Sequence, residues 1–179
     1  MSSIASVYGQ ALYDLARDED CADGILHELK IITQAFADEP DFVRLASTPG
    51  IPKAERLQIL DDSFRDRVHP YVLNFMKILT EKGYMNSFCE CAEVYLKAYN
   101  EDHNILPVKV TSALALTDEQ QSRLRRKLAS LTNKQIELIQ RIDPACIGGL
   151  RLDYDGKQVD DTVAGRLDRL HSMLKNTAL

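Results

Sequence analysis

The chain has 179 residues, of which 45% are hydrophobic and 27% charged, and its formal net charge is −5. These values are ordinary for a globular protein and exclude a disordered chain, a collagen-like chain and a disulfide scaffold. The charge is unevenly divided, because residues 1–104 carry 10 Lys+Arg against 18 Asp+Glu, whereas residues 105–179 carry 12 against 9. An acidic half of net −8 is thus followed by a mildly basic half of net +3.

Two features of the sequence bear on where the protein works. Residues 1–20 lack the basic region and long apolar run of a secretory signal, and they are acidic where a mitochondrial transit peptide is Arg-rich. No apolar stretch approaches the roughly 20 residues needed to span a bilayer. The sequence therefore predicts a cytoplasmic protein and leaves open a place as a peripheral subunit of a membrane complex.

Residues 1–104 predict six short helices that pack as a bundle. Apolar residues at three- and four-residue steps predict the first helix. Its predicted buried stripe consists of Ile4, Val7, Tyr8, Ala11, Leu12 and Leu15. The same spacing predicts a second helix with a buried stripe at Ile25, Leu29, Ile32 and Phe36. A third, shorter helix is predicted to open at Pro40.

Prolines also mark where the next helices begin, because proline is tolerated in the first turn of a helix but not in its interior. Pro52 opens the fourth helix and Pro70 the fifth. The main apolar face of the fifth helix consists of Val72, Leu73, Met76 and Leu79. Gly83 is predicted to cap this helix in the left-handed conformation. A sixth helix is predicted over residues 86–101.

The pattern changes near Asn104, where apolar and polar residues begin to alternate as in a strand. Pro107 indicates the start or the edge of that strand, where a missing N–H donor is tolerated. Thr117 and Gln120 then form the signature of a capping box at the start of a helix. The predicted buried stripe of this helix consists of Leu124, Leu128 and Leu131.

Further elements complete the carboxyl-terminal half. Strands are predicted at 136–142 and 147–152, and Asp155-Gly156 indicates a tight turn. A last helix is predicted to begin at Asp161 or Thr162. Its narrow apolar face consists of Val163, Leu167, Leu170 and Leu174. The predicted fold is mainly α, with an N-terminal six-helix bundle in residues 1–104 and a smaller α+β C-terminal domain in residues 105–179.

The residue types that carry chemistry are scattered along the sequence. The four histidines and four cysteines show no metal-ligand spacing. Gly148-Gly149 lacks the further residues of a phosphate-binding fingerprint and is predicted to permit a bulge or a close backbone approach in a strand. The sequence thus predicts no catalytic residue, cofactor or metal site. A thiol enzyme built on Cys146 or Cys89 is kept as an alternative, although no paired base supports it.

A run of basic residues lies on the helix that follows Thr117. It consists of Arg123, Arg125, Arg126 and Lys127. A solvated helix face is the simplest interpretation, and contact with an acidic protein surface is the next. A nucleic-acid-binding regulator that uses the Arg123–Lys127 face is a further alternative. Nucleic-acid modules usually add aromatic stacking residues, whereas residues 105–179 contain a single aromatic, Tyr154.

Some apolar residues of the first and fifth helices lie at the edge of the predicted stripe or off it. They are Tyr8 and Ala11 on the first helix and Phe75 and Ile78 on the fifth. A helix that is apolar on more than one side is either central in its bundle or covered by something else. These residues therefore indicate either a central fifth helix or a groove for a partner helix.

Three segments of the chain resemble the delta subunit family of F-type ATP synthases, which includes the mitochondrial oligomycin-sensitivity-conferring protein. The segment YGQALYDLA at 8–16 is similar to the family's opening helix. IGGLRL at 147–152 resembles its glycine-pair strand, and VDDTVAGRLDRL at 159–170 resembles its closing helix. Gly9 stands where the family commonly has Ala, which should weaken the first helix by up to ~1 kcal/mol. Ala164 stands where the family commonly has a basic residue.

The resemblance implies a non-catalytic stator subunit, present in one copy per complex, that resists rotation of the catalytic head during proton-driven ATP synthesis. It implies that the helical bundle binds the N-terminal helix of an alpha subunit in a groove between the first and fifth helices. The partner-binding residues that it implies are Tyr8, Ala11, Leu12, Phe75 and Ile78. It further implies that the C-terminal domain binds the b subunits of the peripheral stalk, at the cytoplasmic face of a bacterial plasma membrane.

Overall fold

The computed structural model describes residues 3–48 and 50–167. The chain divides into two compact units between Tyr99 and Asn100, close to the predicted boundary at residue 104. We call them unit 1 and unit 2. Unit 1 is helical, whereas unit 2 combines strands with helix, which confirms the predicted fold class.

Unit 1 is built from six α-helices in the part of the chain that the structure describes. They are α1 (Ser3–Asp18), α2 (Ala22–Asp38), α3 (Pro40–Ser47), α4 (Lys53–Phe64), α5 (Pro70–Lys82) and α6 (Phe88–Asp102), whose final residues from Asn100 on belong to unit 2. Proline stands in the first turn of α3 and of α5, where its missing N–H costs no helical hydrogen bond. Gly83 ends α5 with φ 76°, as predicted from the glycine alone.

The buried side of α1 differs from the predicted one. Val7, Ala11 and Leu15 are exposed. The buried residues of α1 are Ala5, Gly9, Leu12, Tyr13 and Ala16. The prediction ranked residues by apolar character, whereas close packing against α6 selects small ones.

Aromatic rings fill the centre of unit 1. Phe36 of α2 contacts the rings of Phe42, Phe64 and Phe88, at centroid distances of 5.6, 6.3 and 5.1 Å. On the other side of the bundle, Tyr13 meets the ring of Tyr95 edge-on at 5.3 Å. The contacts of Phe36 thus join α2 to α3, α4 and α6, and the Tyr13–Tyr95 contact joins α1 to α6. The buried residues of α2 are those that the spacing predicted, namely Ile25, Leu29, Ile32 and Phe36.

Polar bonds tie the helices of unit 1 together at their ends. The Tyr95 hydroxyl donates to the carbonyl oxygen of Ala22 at 2.9 Å, and the Tyr99 hydroxyl donates to Asp23. Between α4 and α5, Lys77 Nζ lies 2.6 Å from Asp61 Oδ1. The hydrogen bond from Lys77 lowers the pKa of Asp61 below the usual carboxyl range.

The contact between Tyr99 and Asp23 predicts how unit 1 responds to alkaline pH. The hydrogen bond to Asp23 raises the pKa of Tyr99 to about 12, above the ordinary tyrosine value of about 10. Between these values the unfolded chain has released a proton that the folded chain keeps, so the free energy of unfolding falls as pH rises. We expect the urea midpoint to fall more steeply over this interval in the wild-type chain than in Tyr99→Phe. Circular dichroism measures the urea unfolding at each pH. If the urea midpoint falls equally steeply with pH in both proteins, the contact between Tyr99 and Asp23 is contradicted.

In the residues that the structure describes, unit 2 is a four-stranded sheet with a long helix packed on it. Its elements are β1 (Ile105–Ser112), α7 (Asp118–Thr132), β2 (Gln135–Ile142), β3 (Leu150–Tyr154) and β4 (Lys157–Asp160). The strand order is β2-β1-β3-β4, with β1 and β2 parallel and the other pairs antiparallel. The core of unit 2 consists of Leu106, Val108, Val110, Leu128 and Ile136.

Local signals predicted most of unit 2 well. Thr117 and Gln120 form the complete capping box at the start of α7. Asp155 and Gly156 both have positive φ in the tight turn between β3 and β4. Pro107 lies near the start of β1, and pairing with β3 begins only at Lys109, so the missing donor removes no bond with that strand.

Two predictions about unit 2 were wrong. Leu131 is exposed, because α7 buries Leu128 and half-buries Leu124 but turns its last apolar residue away from the sheet. The third strand begins at Leu150 rather than Ile147, because a 3₁₀ turn and a sharp bend occupy the residues before it. Within the predicted last helix, residues 163–167 are helical, and Leu170 and Leu174 lie outside the described residues.

Candidate functional site

The first candidate surface lies on the outer face of α1. Val7, Ala11 and Leu15 are exposed at four-residue steps, so they form one stripe along the helix. Tyr8 is half-buried beside this stripe and packs edge-on against Tyr84, which follows the cap of α5, at a centroid distance of 6.2 Å. This ring contact brings α1 and the end of α5 together.

The face of α5 contributes one large exposed apolar residue to unit 1. Ile78 is 44% exposed, although it belongs to a helix whose other large apolar residues are buried or half-buried. A solitary exposed isoleucine is unremarkable on its own. As the exposed large apolar residue of α5, it is the residue of that helix most available for a partner contact. We call Val7, Tyr8, Ala11, Leu15 and Ile78 the α1/α5 surface.

The structure separates the five sequence-predicted partner residues into two groups. Tyr8, Ala11 and Ile78 have surface available for contact. Leu12 and Phe75 lie in the core of unit 1, with 5% and 6% of their surface exposed. The prediction missed Val7 and Leu15 as surface residues because it assigned both to the buried stripe of α1.

The second candidate surface is a groove in unit 2 with a volume of about 740 Å³. We call it the α7 groove. Three segments that are distant in sequence form it, namely the loop after β1, the outer side of α7 and the bend before β3. Its lining consists of residues 112–117, Gln120, Arg123, Leu124, Lys127 and residues 147–150. Most of this lining is apolar, and Leu114 and Ile147 are 79% and 66% exposed.

Ile147 has an unusual backbone at the edge of the α7 groove. Its φ of 63° and ψ of −41° lie in a region that β-branched residues rarely occupy. The N–H of Gly148 donates to the carbonyl oxygen of Cys146 at 2.7 Å, which closes a γ-turn around Ile147. Turns of this hand are rare and strained. The bend turns the exposed isoleucine side chain outward beside the glycine pair.

The glycine pair fastens the last helix to the sheet. Gly149 has φ 80°, and a Cβ placed on it would lie 2.4 Å from the carbonyl oxygen of Asp161. The N–H of Val163 donates to Gly148 at 2.9 Å, and the N–H of Asp161 donates to Leu150 at 3.0 Å. The predicted close backbone approach therefore exists, but just before β3 rather than within it.

A capping network holds the first turn of the last helix. The Thr162 hydroxyl accepts from the N–H of Gly165 at 3.0 Å, so Thr162 is the N-cap. The same hydroxyl and the N–H of Thr162 both donate to Asp160, at 2.7 and 2.9 Å. The residues that carry the resemblance at this end of the chain are thus mostly structural.

The basic run on α7 splits between two grooves. Arg123 and Lys127 line the α7 groove, whereas Arg125 and Arg126 line a second groove that also contains Lys134. The four residues of the run are exposed. The run is therefore more than one solvated stripe, because its members flank two different concave surfaces.

The cysteines do not have the properties of reactive thiols. Burial raises the pKa of Cys91 to about 11, and it also raises the pKa values of Cys21 and Cys89. A nucleophilic cysteine needs a lowered pKa in an accessible, electropositive setting. Cys146 is buried. These observations count against the thiol-enzyme alternative.

Metal-binding clusters and membrane-spanning helices are both missing from the part of the chain that the structure describes. Between residues 3 and 167, leaving out 49, no group of three or more His, Cys, Asp or Glu is arranged to hold a metal ion. In the same ranges, no helix combines the length and the apolar character needed to cross a membrane.

Comparison with known proteins points to one family. A family model described as the ATP synthase delta (OSCP) subunit matches residues 4–174. The chain is 30% identical over 174 residues to the ATP synthase subunit delta of Desulfitobacterium hafniense strain DCB-2, a match that covers 97% of each chain. It is 30% identical over 173 residues to the ATP synthase subunit delta of Moorella thermoacetica, again with 97% of each covered.

The fold has a solved counterpart. A chain in the cryo-EM structure of the Toxoplasma gondii mitochondrial ATP synthase hexamer matches with a TM-score of 0.75, over 97% of this chain and 98% of that one. The sequence identity is 19%, so this likeness concerns the fold alone. The family model and the two bacterial relatives extend over nearly the whole sequence and agree with the resemblance read from residues 8–16, 147–152 and 159–170. The chain belongs to the ATP synthase delta (OSCP) subunit family.

Proposed function

We propose that the chain is a non-catalytic stator subunit of an F-type ATP synthase that links the catalytic head to the peripheral stalk. In this proposal, unit 1 binds the N-terminal helix of an alpha subunit through the α1/α5 surface. Unit 2 binds the b subunits of the stalk. One copy acts in each complex, attached peripherally at the cytoplasmic face of a bacterial plasma membrane, and it resists rotation during proton-driven synthesis.

The observation that carries the proposal is the exposed apolar α1/α5 surface on a bundle whose core is otherwise well filled. Val7, Ala11 and Leu15 share one exposed side of α1, whereas the buried residues of the same helix are Ala5, Gly9, Leu12, Tyr13 and Ala16. An amphipathic partner helix binds such a surface with anchors at helical spacing. Family membership supports the choice of an ATP synthase subunit as that partner.

Holding a motor in place requires tight binding and no chemistry. A nanomolar contact corresponds to about −12 kcal/mol, and a few buried apolar anchors supply most of such an energy. The acidic residues of unit 1 favour a partner segment with basic residues and speed the encounter. Raised thiol pKa values among the cysteines of unit 1 agree with a protein that holds rather than reacts.

The most direct test of the α1/α5 surface is a charge placed at its α5 side. We expect Ile78→Asp to weaken binding to the catalytic head by about tenfold or more, because the carboxylate would be desolvated against an apolar partner helix. Isothermal titration calorimetry with the isolated head measures this. Ile31→Asp is the matched control, since Ile31 is 56% exposed on α2, a helix that contributes no residue to the α1/α5 surface.

The affinity of the control variant and the circular dichroism of both variants are needed to interpret the result. Ile31→Asp should bind as the wild-type chain does, and both variants should keep wild-type circular dichroism, because both side chains are exposed. Equal affinities of the wild-type chain and Ile78→Asp would remove α5 from the proposed contact. Tyr8→Asp is a second variant, but it also breaks the ring contact with Tyr84 and therefore needs the same fold check.

The partners are tested by recovery from membranes with the full chain as bait. Retention of both alpha and b subunits is the expected result, and retention of neither would reject the stator function.

The alternative function, a nucleic-acid-binding regulator, predicts instead that polyanions bind through Arg123–Lys127. The only aromatic of residues 105–179, Tyr154, is half-buried against the core of unit 2 and lines neither of the grooves that contain the basic run, so it supplies no stacking platform beside Arg123–Lys127.

A further inference from the structure

We propose that the α7 groove is the docking site for an acidic amphipathic helix of another polypeptide, with Ile147 as its central apolar anchor. The inference rests on the proposed function in one respect, because the stalk supplies the candidate for that polypeptide. It adds the surface on unit 2, the chemistry of the segment that fits it and the residue around which the contact is built.

The charge of the groove selects the occupant. Among the described residues that line it, Arg123 and Lys127 are the only charged ones. No ion pair joins either of them to another described residue. A groove whose charges are all positive and unneutralised favours a segment with carboxylates and disfavours a basic one.

The spacing of the two cations defines the pattern of the occupant. Arg123 and Lys127 are four residues apart on α7, so they stand about one helical turn, or 6 Å, apart along the same side. A helix lying along α7 meets both when it carries two carboxylates three or four residues apart. Its apolar side then faces Leu114, Leu124 and Ile147, which line the groove beside the cations.

The conformation of Ile147 indicates that its exposed side chain serves a contact. A glycine at this position would adopt φ 63° without strain, whereas isoleucine adopts it only at a cost. The strain is not compensated by burial, since the residue is 66% exposed. A strained, exposed, β-branched residue at the edge of an apolar groove is accounted for if a partner buries it.

The experiment titrates the full chain with a synthetic peptide of the b-subunit segment at the end of the stalk, from the same source. We expect Arg123→Glu/Lys127→Glu to weaken binding by about tenfold or more, and the wild-type affinity to fall with added salt. The matched control is Arg125→Glu/Arg126→Glu, which makes the same charge change on the same helix but outside the groove. The control should bind within about threefold of the wild-type chain.

A second variant separates binding from folding. Ile147→Gly relieves the strained turn, so we expect it to keep or raise the urea midpoint of unit 2. We expect the same variant to lower the affinity for the peptide by about tenfold or more. A variant that folds at least as well but binds less well marks a contact residue. Unchanged affinity in Ile147→Gly would remove the anchor and overturn the proposal.

Each other outcome also decides the matter. Equal losses in the groove variant and its control would overturn the groove and leave the stator function standing, because the wild-type chain still binds the peptide. If the wild-type chain binds no peptide while still recovering the head from membranes, the stalk half of the function fails and the groove proposal with it.

Two other results would assign the groove to a different occupant. If the chain forms a concentration-dependent dimer that Ile147→Gly abolishes, the occupant is a second copy of the chain. Peptide affinity that rises tenfold on deletion of residues 168–179 would assign it to the chain's own end.

Discussion

Gly149→Ala should lower the free energy of unfolding of unit 2 by about 3 kcal/mol. Two costs add at this position. The φ of 80° is strained for any residue with a Cβ, and that Cβ would lie 2.4 Å from the carbonyl oxygen of Asp161 and 3.0 Å from Cα of Thr162. Both neighbours are backbone atoms, so no side chain can rotate away. The first turn of the last helix has to move instead.

Gly156→Ala is the matched control for this effect. Gly156 has φ 70° in the turn between β3 and β4, but no heavy atom of the described residues lies within 4 Å of an added Cβ. This variant therefore carries the conformational cost alone, about 1 kcal/mol. Urea unfolding, with amide hydrogen exchange read separately over β1–β4, measures both variants. Equal losses at the two glycines would mean that the close approach to Asp161 does not bear on stability.

Gly9→Ala should destabilise unit 1 by about 2 kcal/mol, although alanine favours helices. Intrinsic propensity alone gives the opposite sign, since alanine is preferred over glycine by up to about 1 kcal/mol. In the structure, the new Cβ would lie 2.5 Å from the carbonyl oxygen of Cys91 and 2.8 Å from Cβ of Val94. The α1 and α6 backbones would have to separate, and the gap would loosen the Tyr13–Tyr95 contact.

Gly24→Ala is the control that changes helix propensity without creating a steric clash. Gly24 lies in α2, is exposed, and has no heavy atom of the described residues within 4 Å of an added Cβ. This control should stabilise unit 1 by up to about 1 kcal/mol. Thermal unfolding of the two variants side by side gives changes of opposite sign. A stabilised Gly9→Ala would show that α1 and α6 accommodate a methyl group without loss.

The difference between these glycines shows what sequence patterns can establish. Local signals decide local structure, so Pro70, Gly83, Thr117 and Gly156 predicted their helix ends and turn correctly. The buried side of α1 was mispredicted because it depends on which small residues let two backbones meet. That is a property of the pair of helices, and the α1 sequence alone favours the larger apolar residues.

The candidate sites, too, could be predicted only where local sequence decides them. Ile78 and Tyr8 could be suspected from sequence, since they lie off or beside an apolar stripe. Phe75 had the same appearance and proved to be core, because exposure depends on what α5 packs against. The α7 groove could not be predicted, since segments around Leu114, Arg123 and Ile147 meet only in the folded unit. One signal was present, namely that residues 147–152 lose the alternation of a strand at the glycine pair.

The strand order of unit 2 has a consequence for the chain before it joins any complex. β2 and β4 form the two edges of the sheet, and an open edge invites pairing with strands of other molecules. β2 is the longer edge, and exposed Glu137 and Arg141 flank Ile139 along it. Adding another copy edge to edge would bring these charged side chains against a second strand. A parallel copy in register would place like charges opposite each other, whereas an antiparallel copy centred on Ile139 would place Glu137 opposite Arg141. The charges of β2 therefore restrict the registers in which free subunits can pair edge to edge.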